Sequence, residues 1–203
     1  MRLITHPLLK LSLATVTTVA VLTSLPSKVM AIGFAGDYAT SNWTLTNSNI
    51  VNNDENDGYA DIANATATSI DIIGGNNASG TLGTTDFTIA ITPARAGTLS
   101  FTWAYDPLDP LPQDSAGYLY NGNFTLLASV SASSTTPVTF NLNSGDTFGF
   151  RVATTTNDGG AGILTVSNFN VQAVPFEFDA TASVLTLGAI WGANQWRKNR
   201  IKK

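Results

Sequence analysis

Three groups of side chains in this sequence carry enough oxygen or aromatic surface to do chemistry. The first is Asn52-Asn-Asp-Glu-Asn-Asp-Gly58. Calcium takes six to eight oxygen ligands, and a flexible acidic loop supplies several, which makes Asp54, Glu55 and Asp57 candidate calcium ligands. The spacing is not that of an EF-hand, because the downstream Glu is missing. The second group is Asp106, Asp109 and Asp114, in a segment stiffened by Pro107, Pro110 and Pro112. A stiff acidic loop at the end of a β-sandwich is a second candidate calcium or ligand site. A plain solvated loop is the competing reading for both. The third group is aromatic: Trp43, Trp103, Tyr105, Tyr118 and Tyr120. A flat ring suits the C–H face of a pyranose. Trp103 shares a strand face with Leu99 and Phe101 and reads as core. Tyr105, beside the acidic segment, and Tyr118 and Tyr120, on one side of a hairpin, are the candidate sugar contacts.

Composition removes most other chemistry. The 203 residues contain no cysteine, so thiolate nucleophiles, thiolate metal sites and disulfides are excluded. The single histidine is His6, which leaves the rest of the chain without the commonest general base. Ser-His-Asp hydrolysis is excluded with it. Glu55 is the only glutamate between residues 32 and 173, and nothing marks two carboxylates there as a desolvated hydrolytic pair. The domain therefore reads as non-enzymatic, with no cofactor beyond the calcium candidates. The same span holds two arginines, Arg95 and Arg151, against twelve acids, a net charge of −10. Such a surface repels phosphate backbones, which argues against a nucleic-acid partner.

The elements that must position these side chains are strands. Short runs of alternating apolar residues, punctuated by Gly, Asn, Ser and Thr, recur about every ten residues. They lie at 43–46, 69–73, 87–91, 98–105, 118–127, 138–142, 148–152 and 163–166, with Phe169 and Val171 continuing the last. Leu99, Phe101, Trp103 and Tyr105 share one face at period two. Asn121-Gly122 accepts the positive φ angles of a type I′ turn and predicts a hairpin. Asn143 to Asp146 and Asn157 to Gly160 read as turns. Nine or ten short strands without intervening helices predict an all-β fold, an antiparallel β-sandwich of jelly-roll-like type, over residues 32–173.

The two ends differ from this middle. Arg2 and Lys10 precede an apolar run from Leu11 to Leu25, and Val29-Met-Ala31 supplies small or β-branched residues at the −3 and −1 positions. Residues 1–31 thus read as a signal peptide with a helical apolar segment, cleaved by signal peptidase after Ala31. At the other end stand Val174-Pro-Phe-Glu-Phe178, an apolar stretch over 180–196, and a basic terminus over 197–203 with five cations. The stretch is at the short end for a transmembrane helix, and the cations predict a cytoplasmic C-terminus.

This three-part tail resembles the PEP-CTERM sorting signal of Gram-negative bacteria, in its cyanobacterial subclass with a Pro-Phe-Glu-Phe motif. The resemblance covers residues 174–203. It implies that Val174, Pro175, Phe176, Glu177 and Phe178 form a motif read by an exosortase. It further implies transient anchoring in the inner membrane and delivery to the cell surface or extracellular space. The middle domain is similar, through Gly145-Asp-Thr-Phe-Gly-Phe-Arg151, to the small β-sandwich ectodomains that precede such tails. The expected role is structural or adhesive, and the alternative is a carbohydrate-binding module for exopolysaccharide.

Overall fold

The computed structural model describes residues 31–108 and 113–173. Among them the chain forms β1 (Ala31–Ile32), β2 (Thr44–Asn47), β3 (Tyr59–Ala60), β4 (Ile70–Ile73), β5 (Gly83–Ala90) and β6 (Gly97–Pro107). The series continues with β7 (Asp114–Tyr120), β8 (Asn123–Ala128), β9 (Ala132–Leu142), β10 (Thr147–Thr154) and β11 (Gly162–Ala173). One antiparallel sheet runs β3-β4-β11-β6-β9, with β1 also paired to β11. The other runs β2-β5-β10-β7-β8. We call them sheets I and II. From β4 onward the chain alternates between the layers, except at the β7–β8 hairpin. The resulting four-strand orders β4-β11-β6-β9 and β5-β10-β7-β8 are those of a jelly roll. The expected all-β sandwich is present. The signal segment and the apolar tail lie outside the described residues. No helix among the described residues is long and apolar enough to cross a membrane.

Alternation drives the layering. In β5, Thr85, Phe87 and Ile89 are buried, while Thr84, Asp86 and Thr88 are half-buried on the other face. The inward rows of the two sheets meet in one aromatic-rich core. Trp43 is stacked near-parallel on Phe87 at 4.9 Å and on Phe150 at 5.9 Å. Its Nε1 donates to the Tyr38 carbonyl at 3.0 Å, so the buried indole loses no hydrogen bond. Tyr38 closes one end of the core and donates its hydroxyl to the Arg95 carbonyl. Burial pushes its phenol well above the ordinary range.

Two sequence expectations changed in detail. Phe169 and Val171 do face the core, but out of phase with Leu164 and Val166. A bulge between Ser167 and Asn170 inserts the extra residue, with Asn168 at φ 52°. Strands β1 and β3 carry too few residues to show a period.

Candidate functional site

The Asn52–Gly58 loop does not open its carboxylates toward an ion. It folds around one of them. Asp57 is 3 % exposed, and its two oxygens accept from the backbone N–H groups of Val51, Asn52, Asn53 and Asp54, at 2.6–3.3 Å. The Asn77 side chain adds a fifth donor at 2.7 Å. Chiefly the Val51 amide and the Asn77 side chain hold its pKa down, at about 2. A ring of N–H donors is an anion nest, and here the protein's own carboxylate fills it. Asp54 is also committed. Its Oδ1 caps the 3₁₀ turn Glu55–Asp57 by accepting from Asn56 N–H at 2.9 Å. Glu55 is exposed in that turn. The expected calcium set of Asp54, Glu55 and Asp57 is therefore corrected to a self-capping loop.

The second acidic group is split by the fold. Asp106 is exposed on the outer face of sheet I. Asp114 begins β7 in sheet II, points inward and is 3 % exposed, and its Oδ2 accepts from Gly162 N–H at 2.9 Å. Asp109 lies outside the described residues. Asp106 and Asp114 thus occupy opposite faces of different layers and do not form a joint site. Among the described residues, no group of three His, Cys, Asp or Glu side chains could hold a metal ion. Tyr105, taken as an exposed sugar contact, is 2 % exposed. The strand runs on to Pro107, so Tyr105 is an interior position opposite Leu164 rather than a strand end. Glycine is required at 162, where a Cβ would lie 2.6 Å from the Tyr105 hydroxyl and 3.1 Å from the Asp114 carboxylate.

Tyr118 and Tyr120 do share a face, but it is the inner one. Both are half-buried and pack on the core through Phe140, at 5.5 and 5.6 Å between centroids. The hairpin turn forms as expected, with φ of 50° at Asn121 and 78° at Gly122. Tyr120 donates its hydroxyl to Asp146 at 2.8 Å, and Asn121 Nδ2 and Asn143 N–H donate to the same carboxylate. These bonds lower the Asp146 pKa and raise that of Tyr120. The two tyrosines latch the hairpin to the β9–β10 turn and offer no open ring pair, which corrects the expected sugar platform.

The face opposite those tyrosines carries a cluster that the sequence reading missed. Pairing Tyr120 with Asn123 puts Phe124 beside Leu119 on the outside of sheet II. Its ring lies across β7 above Gly117, where a Cβ would approach Phe124 Cε2 to 2.7 Å and the Thr125 carbonyl to 2.1 Å. On the far side of Gly117 stands Arg151, whose guanidinium carbon is 5.7 Å from the Phe124 centroid. Arg151 Nε and Nη2 donate to the two oxygens of Asp86, both at 2.6 Å. The carboxylate raises the arginine pKa further. Phe124 is 37 % exposed and Leu126, next along the face, 55 %. Among the described residues, Phe124 is the only exposed aromatic and Asp86–Arg151 the only salt bridge. The turn-fixed register would have revealed Phe124 in the sequence. The Asp86–Arg151 pair has no local signal.

The outer face of sheet I is different. A depression there, about 430 Å³ and wide open, is bordered by Ala104, Tyr105, Asp106, Ser133, Ile163 and Thr165. Tyr59, half-buried, continues that outer row beyond Ile163 and Ile73.

No family model matches this sequence, and no curated protein does. Among solved structures, the chain resembles a carbohydrate-binding module of the β-sandwich superfamily. The TM-score is 0.40 at 11 % identity, over 70 % of this chain and 61 % of that one. The family 11 carbohydrate-binding module of the cellulosomal cellulase Lic26A-Cel5E of Clostridium thermocellum gives 0.37 at 9 % identity, over 73 % and 95 %. A β-glucosidase from Kluyveromyces marxianus gives 0.28 at 12 % identity, over 47 % and 12 %.

Proposed function

We propose that this chain is an exported, non-enzymatic β-sandwich protein of the cell surface or extracellular matrix. In this reading an exosortase-type system sorts it through residues 174–203. The observation that carries the proposal is the tail: Val174-Pro-Phe-Glu-Phe178, an apolar stretch, and five cations in the last seven residues. A stop-transfer signal accounts for that order of segments. The domain suits the role. It is built without disulfides around a single aromatic core, and Asp57, Asp114 and Asp146 are spent on hydrogen bonds within the protein. Deleting Arg197–Lys203 should stop tail processing and release, read by mass spectrometry of the C-terminus of the exported chain. Unchanged cleavage in that deletion would contradict the sorting reading.

A second reading is binding of an extracellular polysaccharide. The observation favouring it is the exposed Phe124 ring beside a fixed ion pair on the outside of sheet II.

A further inference from the structure

We infer that the outer face of sheet II is a binding site for a neutral polysaccharide, centred on Phe124 and the Asp86–Arg151 pair. The inference rests on the second reading above and gives it a place and a ligand class. The face combines two kinds of surface that a hexopyranose chain needs. Leu119, Phe124 and Leu126 form an apolar strip on adjoining strands β7 and β8. Leu119 is 5 % exposed yet stands apart from the inner core cluster, with Phe124 paired to it on the next strand. An aromatic ring seated over Gly117 and against Arg151 gives the C–H face of a sugar a rigid partner at little entropic cost.

Beside the strip lies hydrogen-bonding capacity already fixed in place. A guanidinium has five N–H donors and a carboxylate about four lone-pair sites. The two bonds between Arg151 and Asp86 use two of each, and leave the remainder for vicinal hydroxyls. Their side chains are 26 % and 16 % exposed, within reach of a ligand laid on the sheet. The hydroxyl-bearing outward row Thr44, Thr46 and Thr88 continues the polar surface across β2 and β5. Gly149 lies between Thr88 and Leu119 in the register, with the Thr88 methyl over the space a Cβ would take.

Charge selects the class of polymer. The cation on this face is cancelled by its own partner, so it offers no net attraction to an anion. The domain around it carries −10 and repels uronate or sulfate polymers. A neutral chain avoids both costs.

The test is affinity gel electrophoresis of the purified full-length chain in gels containing barley β-glucan, xylan, galactomannan or alginate. Retardation is expected in at least one neutral gel and not in alginate. Phe124→Leu keeps an apolar side chain over Gly117 but removes the ring, and should weaken that retardation about tenfold. Phe124→Tyr should restore it. Two results overturn the site while leaving polysaccharide binding intact: unchanged retardation in Phe124→Leu, or retardation by alginate alone. Absence of retardation in every gel, with the chain still exported and processed, overturns the binding reading together with the site. Self-association that Phe124→Leu abolishes, without retardation, would assign the face to a second copy of the chain instead.

Discussion

Sheet II carries a row of aromatic rings on its inner side and a single ring on its outer side, and the two differ in what holds them. Inside, Tyr118, Tyr120, Phe148 and Phe150 pack against Phe101, Phe140 and Trp43, from both layers and the loop that closes them. Outside, Phe124 touches only its own sheet: Gly117 beneath it and Arg151 beside it. The inner rings are fixed by burial in a core that neither sheet could form alone. The outer ring is fixed by one missing Cβ and one cation. Aromatic content alone therefore does not distinguish a binding surface from a core. The strand register does.

Removing an inner ring gives the largest effect. Phe150→Ala should cost about 3–5 kcal/mol, since Phe150 is fully buried and contacts Trp43, Phe101 and Phe148. Thermal unfolding should show a Tm lower by roughly 10 °C or more. A fall of only a degree or two would mean that the inner row does not carry the fold. Gly117→Ala comes next, because its Cβ would meet the Thr125 carbonyl at 2.1 Å as well as the Phe124 ring. The strands must part, at about 1–3 kcal/mol, and the ring must lift off the sheet. Stability and polysaccharide retardation should fall together, whereas Phe124→Leu should lower retardation with little change in Tm. If Gly117→Ala binds as well as the unaltered chain, the seat of the ring over Gly117 does not matter for binding.

A smaller effect separates the loop carboxylate from both faces of sheet II. Asp57 has a depressed pKa, so the stability it contributes is complete above the ordinary unfolded value of about 3.9 and is lost as pH falls through about 2. Tm should be flat in this respect from pH 5 to 8 and fall below about pH 4. Asp57→Asn should melt lower at neutral pH, because an amide cannot accept all five donors. Its Tm should also fall less between pH 5 and pH 2. An acid limb as steep as that of the unaltered chain would place the titrating group elsewhere.

Much of the fold was legible because its signals are local. Alternation in 98–105 and 148–152 announced β6 and β10, and Asn121-Gly122 announced the β7–β8 hairpin and its turn. The site was less legible, for two physical reasons. Strand ends are set by pairing partners, so Tyr105 and Asp114 read as loop-side residues although β6 and β7 extend past them into the interior. Acidic loops are ambiguous by composition: the residues that would ligand calcium also cap turns and gather backbone amides, as Asp54 and Asp57 do here. Asp86 and Arg151 are 65 residues apart and meet only through the β5–β10 register.

The most direct test of the central claim compares the two outer faces in one experiment. Amide chemical shifts of the ¹⁵N-labelled chain would be followed during titration with an oligosaccharide of whichever neutral polymer retards it. Shifts are expected at Gly117, Leu119, Phe124, Gly149 and Arg151 on sheet II, with Ala104, Ser133 and Thr165 on sheet I unmoved. Shifts confined to the sheet I residues, or spread over neither face, would contradict it.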